Sequence, residues 1–122
     1  MSYGSPIYTT YRYAAATLSA AATVGRFIGP EGKRGRIVGA EVITTTATTV
    51  AACALQVGPA GGTATANLDM SIPVTAINLG HQATKAEIDA GATMAADTVH
   101  NVSSDGGCTA GAGDLVITVA WF

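Results

Sequence analysis

Thr63-Ala64-Thr65-Ala66-Asn67-Leu68-Asp69-Met70-Ser71-Ile72-Pro73-Val74 is the stretch that decides the fold. Its residues alternate. Ala64, Ala66, Leu68, Met70, Ile72 and Val74 form one row, while Thr63, Thr65, Asn67, Asp69 and Ser71 form the other. A period of two places one row on the buried face of a strand and the other in solvent. Pro73 has no amide hydrogen to give, so the strand is expected to end there or to lie at a sheet edge.

The same period recurs on both sides. Upstream, Ala51, Cys53, Leu55 and Val57 alternate with Ala52, Ala54 and Gln56, ahead of a turn at Gly58-Pro59-Ala60-Gly61-Gly62. Ile37 to Ile43 is apolar and β-branched, interrupted by Glu41, and reads as a buried strand. Before it, Gly25 to Arg36 is a turn-rich bend, and Leu18, Ala20, Ala22 and Val24 suggest a strand facing inward. Downstream, Lys85, Glu87 and Asp89 alternate with Ala86, Ile88 and Ala90; strand is favoured over a helical turn. Residues 92–104 pattern weakly, with Met94 and Val99 as anchors. A glycine-rich loop, Asp105 to Gly113, leads to a last strand with Leu115, Ile117, Val119 and Trp121 inward and Val116, Thr118, Ala120 and Phe122 outward.

About seven to eight short strands separated by Gly/Pro turns predict an all-β chain, a single antiparallel β-sandwich or jelly roll spanning residues 17–122. The chain of 122 residues has room for one such domain. Residues 1–16 are expected to form an extended N-terminal arm, because all four tyrosines (Tyr3, Tyr8, Tyr11 and Tyr13) lie there among Ser, Gly, Pro and Thr. Tyrosine gives a large amphipathic contact area at low entropic cost, which suits an arm that docks on a protein neighbour.

Charged residues make up 11% of the chain, against about 25% in an ordinary soluble domain. A surface coated in Thr, Ser, Ala and Gly suits a protein that lives packed against something else. Four of the six cationic residues, Arg26, Lys33, Arg34 and Arg36, fall in the one bend, with Glu31 as the single acid among them. Such a loop can grip an acidic partner surface through charge-assisted hydrogen bonds. The net charge of −2 and the lack of interleaved aromatics argue against nucleic acid.

No stretch of 18 apolar residues is present, so no membrane-spanning helix is expected. Ala14 to Val24 loosely resembles a signal-peptide core but alternates like a strand, and it is read as one.

No constellation for catalysis emerges. His81 and His100 have no ligand partners set by spacing, and Asp97, Asp105 and Asp114 are scattered. Gly111-Ala112-Gly113-Asp114 reads as a turn rather than a calcium repeat, and Asn101-Val102-Ser103 as a chance glycosylation match. No enzyme activity and no cofactor are expected. Cys53 and Cys108 fit no zinc spacing and allow one bridge at most; two free thiols are the expected state.

With its Tyr-bearing arm, its Ala/Thr/Gly-rich sandwich and a final strand Gly113-Asp114-Leu115-Val116-Ile117-Thr118-Val119-Ala120-Trp121-Phe122 ending on two aromatics, the chain resembles the small capsid decoration (cement) proteins of tailed bacteriophages. The resemblance implies several copies per virion, bound outside the shell to the major capsid protein, as dimers or trimers, after assembly in the host cytoplasm. The alternative is a carbohydrate- or receptor-binding β-sandwich module of a phage tail or fibre, which would need Trp121 exposed in a cleft.

Overall fold

The computed structural model describes residues 6–122. Eight strands and one short helix follow in order: β1 (Ile7–Thr17), β2 (Ala21–Phe27), β3 (Gly35–Thr49), β4 (Cys53–Pro59), β5 (Leu68–Ile72), β6 (Gly80–Gln82), α1 (Lys85–Ala90), β7 (His100–Asp105) and β8 (Ala110–Trp121). One sheet has the order β1-β8-β3-β6 and the other β2-β7-β4-β5. First pairs with last, second with seventh, third with sixth and fourth with fifth, all antiparallel. This nesting is a long hairpin rolled onto itself. It makes the all-β sandwich a jelly roll, an architecture that covers most sheet edges by wrapping one sheet over the other.

The core forms where the inward rows meet. Leu55 and Val57 of β4, Leu68, Met70 and Ile72 of β5, and Leu115, Ile117, Val119 and Trp121 of β8 are all buried. Ile37 and Val42 of β3 and Val102 of β7 join them.

Five expectations are corrected. The 63–74 strand is shorter than its alternation, because residues 60–67 form turns and bends rather than strand. The Ala66 amide donates to Thr63 O, and a Cβ on Gly58 would come within 2.1 Å of that same oxygen. Only Leu68–Ile72 enters the sheet, and Val74 beyond Pro73 is exposed. The alanine-rich run 17–24 is not one strand. It breaks after Thr17, where the Leu18 amide donates to Gly111 O and Ser104 Oγ donates to Leu18 O at 2.7 Å, anchoring a corner.

Lys85–Ala90 is a helix, held by a reciprocal capping box. Thr84 Oγ1 accepts from the Glu87 amide at 3.1 Å, and Glu87 Oε1 accepts from the Thr84 amide at 2.9 Å. Val99 is exposed, and the segment is anchored by Met94, which bridges to Gly35, together with His100 and Val102. Finally, Cys53 and Cys108 are not free thiols. Both are buried, their Cα atoms lie 5.1 Å apart, and they form a disulfide. The fold closes a sequence separation of 55 residues that spacing alone does not reveal.

Residues 7–17 form β1, hydrogen-bonded to β8 as an edge strand of its sheet.

His100 adds a pH dependence to this core. It is 1% exposed, stacks on Phe27 at 5.7 Å, and its Nδ1 has no hydrogen-bond partner. Burial pushes its pKa down, against a smaller opposing effect of a hydrogen bond with the Thr98 backbone. The neutral ring is therefore the native form. Above about pH 6.5 both folded and unfolded chains hold it neutral and its stability contribution is complete. Below that the unfolded chain takes up a proton first, and stability falls by at most about 1.4 kcal/mol per pH unit until the folded pKa is reached. Urea midpoints measured from pH 7.5 to 5 are expected to fall for the native chain and to stay flatter for His100→Gln. Equal slopes would exclude His100 as the source.

Candidate interface

The outer face of the β1-β8-β3-β6 sheet is built from the rows that alternation turns away from the core. On β8 these are Val116, Thr118 and Ala120, with Phe122 just past the strand end and exposed. β1 places Tyr8 opposite Ala120, Thr10 opposite Thr118 and Arg12 opposite Val116. β3 places Arg36 opposite Ala120 and Glu41 opposite Val116, with Val38 exposed at a bulge between them. The face is therefore largely apolar and threonine-bearing.

The three described tyrosines have different surroundings. Tyr3 lies outside the described residues. Tyr8 is 66% exposed and points outward. Tyr11 stacks on Phe27 with centroids 4.4 Å apart, and Tyr13 lies over Gly25, where a Cβ would meet its ring at 2.2 Å. Both are half-buried against the protein's own core. Tyr13 donates its hydroxyl to Arg26 O at 3.3 Å, and burial, followed by the nearby Tyr11, raises its pKa. These two rings close the open side between β1 and β2, and only Tyr8 of the described three is free to dock.

The basic residues divide between the two sheets. Lys33 and Arg34 are exposed in the bend, which Phe122 pins through reciprocal backbone hydrogen bonds with Arg34, both 2.9 Å. Arg36 lies on β3, with a guanidinium nitrogen 3.9 Å from Asp89. Arg26 is exposed on β2, in the other sheet.

Two features were not anticipated. A groove of 270 Å³ lies between the outer face of β3 and β8 and helix α1. Its wall exists because Glu87 ties α1 to β5, accepting from the Ser71 amide at 2.7 Å. Burial alone would raise the Glu87 pKa; the Thr84 and Ser71 donors outweigh it and hold the carboxyl below its usual range. The second feature is an apolar, uncharged end formed by Val50, Val74, Ile77 and Leu79, all exposed. Backbone bonds from Thr44 and Thr48 to Leu79 and Thr75 hold this segment beside β3. Thr84 ahead of Glu87, and Val74, Ile77 and Leu79 after Pro73, are the visible signals for the two.

Trp121 is 1% exposed and cannot stack on a ligand at the surface. Among the described residues no group of three or more His, Cys, Asp or Glu could hold a metal ion.

No protein-family model matches the chain, and no curated protein sequence matches it. Its fold is similar to that of chains in solved structures, among them two with TM-scores above 0.5. One is a chain in the capsid of Ralstonia phage GP4, with a TM-score of 0.53 and 20% identity, covering 99% of this chain and 86% of that one. The other is a chain in the acidic stable capsid structure of Helicobacter pylori bacteriophage KHP30, with a TM-score of 0.52 and 8% identity, covering 96% of this chain and 93% of that one. The likeness defines a class by fold: single-domain jelly rolls of this size.

Proposed function

We propose that this protein is a non-enzymatic structural component of a bacteriophage virion, and specifically a decoration (cement) protein that binds the outer surface of the shell. The observation that carries the reading is that the whole domain matches chains from two phage capsids that are themselves scarcely longer than it is. A chain of this size is suited to sit on a shell built by a larger subunit. The low charge and the apolar outer sheet face support the same reading, since such a surface is stable when covered. The buried disulfide suits a protein that serves outside the cell. Tyr8 and Phe122 on the outer face, Lys33 and Arg34 in the bend, and Tyr3 in the segment ahead of β1 are the proposed contacts, with Arg36 beside them on β3; Arg26, in the other sheet, is not among them. Many weak contacts repeated over a shell are sufficient, because linked binding multiplies affinity.

The test is co-pelleting with shells of the same virus assembled without this protein. The full chain is expected to pellet with them. Removing residues 1–5, or combining Tyr8→Ala with Phe122→Ala, should each weaken binding, and Lys33→Glu with Arg34→Glu should weaken it most at low salt. A full-length chain left in the supernatant overturns the reading. Residues 1–5 are chosen for deletion because a longer cut would remove Tyr11 and Tyr13 from the core.

A further inference from the structure

We infer that the groove beside α1 receives a lysine or arginine side chain carried on an apolar segment of a partner protein, with Glu41 as the counter-charge. Val116, Thr118 and Val38 make an apolar floor, Gln82 and Ile88 stand on the walls, and Glu41 is the only charged residue among those lining it. Glu41 is half-buried and forms no ion pair among the described residues. The cations nearest to it in the fold are committed or distant. Arg36 faces Asp89, as does Lys85, at the outer end of the helix. Arg12 shares Glu41's row but lies two strands away across Val116. At the usual strand spacing their backbones stand about 10 Å apart, and the two side chains form no ion pair.

The carboxylate is seated over a glycine. Glu41 Oε1 lies above Gly80, where even a Cβ would approach it to 3.2 Å. An unneutralised carboxylate set at the edge of an apolar trough matches a long cationic side chain. Its methylene stem can lie on Val116 and Ile88 while its head reaches Glu41. An anionic or purely apolar occupant would leave Glu41 desolvated and unpaired.

The inference rests on the reading that this face docks on another protein, and the two can fail separately. The probe is a blocked pentapeptide with one lysine between valines, titrated against the full chain and followed by amide chemical shifts. Shifts are expected at Gln82, Ile88, Val116 and Thr118. The dissociation constant should rise at least fivefold in Glu41→Gln, or when norleucine replaces the lysine. In the co-pelleting assay Glu41→Gln should also lose at least fivefold in shell affinity, with an unchanged melting temperature. Glu41→Lys should lose more.

Shifts scattered over the surface, or equal affinity for the norleucine peptide, overturn the inference. Undiminished shell binding by Glu41→Gln overturns it too and leaves the cement reading standing. Titration of the groove by the lysine peptide with no shell binding by the native chain supports the groove and overturns the cement reading. Sedimentation showing that Glu41→Gln dissociates an oligomer of this chain would name a second copy as the occupant and overturn the choice of a foreign partner.

Discussion

Replacing both Cys53 and Cys108 by Ala, or reducing their bridge, is expected to remove about 4 kcal/mol of stability by the loop-entropy relation for a closed loop of this length. The bridge ties the start of β4 to the loop entering β8, across 55 residues of sequence. Without it the unfolded chain regains the freedom of that whole loop, while the folded chain loses little, since both residues are buried among strands already paired. A domain of this size has roughly 5–15 kcal/mol in all, so the loss is a large share. The melting temperature should fall by roughly 15 °C. Calorimetry with and without a thiol reductant reads this directly, and an unchanged melting temperature under full reduction would exclude the bridge as a major support. Stability should matter most where the protein is held on a shell, because a loosened loop there also loosens the start of β8, whose outer face carries the proposed contacts.

Much of the fold was legible in rows of alternating residues, and the failures have physical causes. The buried rows of β5 and β8, though not the strand ends, are legible because Leu68, Met70, Ile72, Leu115, Ile117, Val119 and Trp121 are large, and only burial rewards a large apolar side chain at every second position. The run from Leu18 to Val24 misled because alanine is small enough to lie on either face, so its alternation carries little information; Ala20 and Ala22 are exposed. Lys85–Ala90 is too short for its period to separate helix from strand. The decisive signal is chemical, a threonine three residues before Glu87, and the alternation masks it.

The tyrosines show why the interface was less legible than the fold. Tyr11 and Tyr13 read as docking residues because nothing nearby in sequence calls for them. Their partners, Phe27 and Gly25, become neighbours only once β1 lies beside β2. The disulfide and the groove share that property: each is made by topology, from residues that are far apart along the chain.

The last two residues offer the sharpest separation between what holds the protein together and what it presents. Trp121 is slotted beneath Gly29 and Gly35, where added Cβ atoms would meet its ring at 2.4 and 2.5 Å, and its edge faces Phe27 at 6.4 Å. Trp121→Ala should therefore cost about 4 kcal/mol, since the surrounding backbone cannot collapse into the space. Trp121→Phe should cost clearly less, because the indole Nε1 has no hydrogen-bond partner to lose. Phe122, one residue on, is 54% exposed, and Phe122→Ala should change stability by less than about 0.5 kcal/mol. Shell binding should show the reverse order at permissive temperature, with Trp121→Phe retained and Phe122→Ala weakened. Urea unfolding and co-pelleting on the three variants check both halves. If Trp121→Ala unfolds at the native midpoint, the ring is not the keystone its packing implies; if Phe122→Ala binds shells as well as the native chain, the outer end of β8 is not a contact.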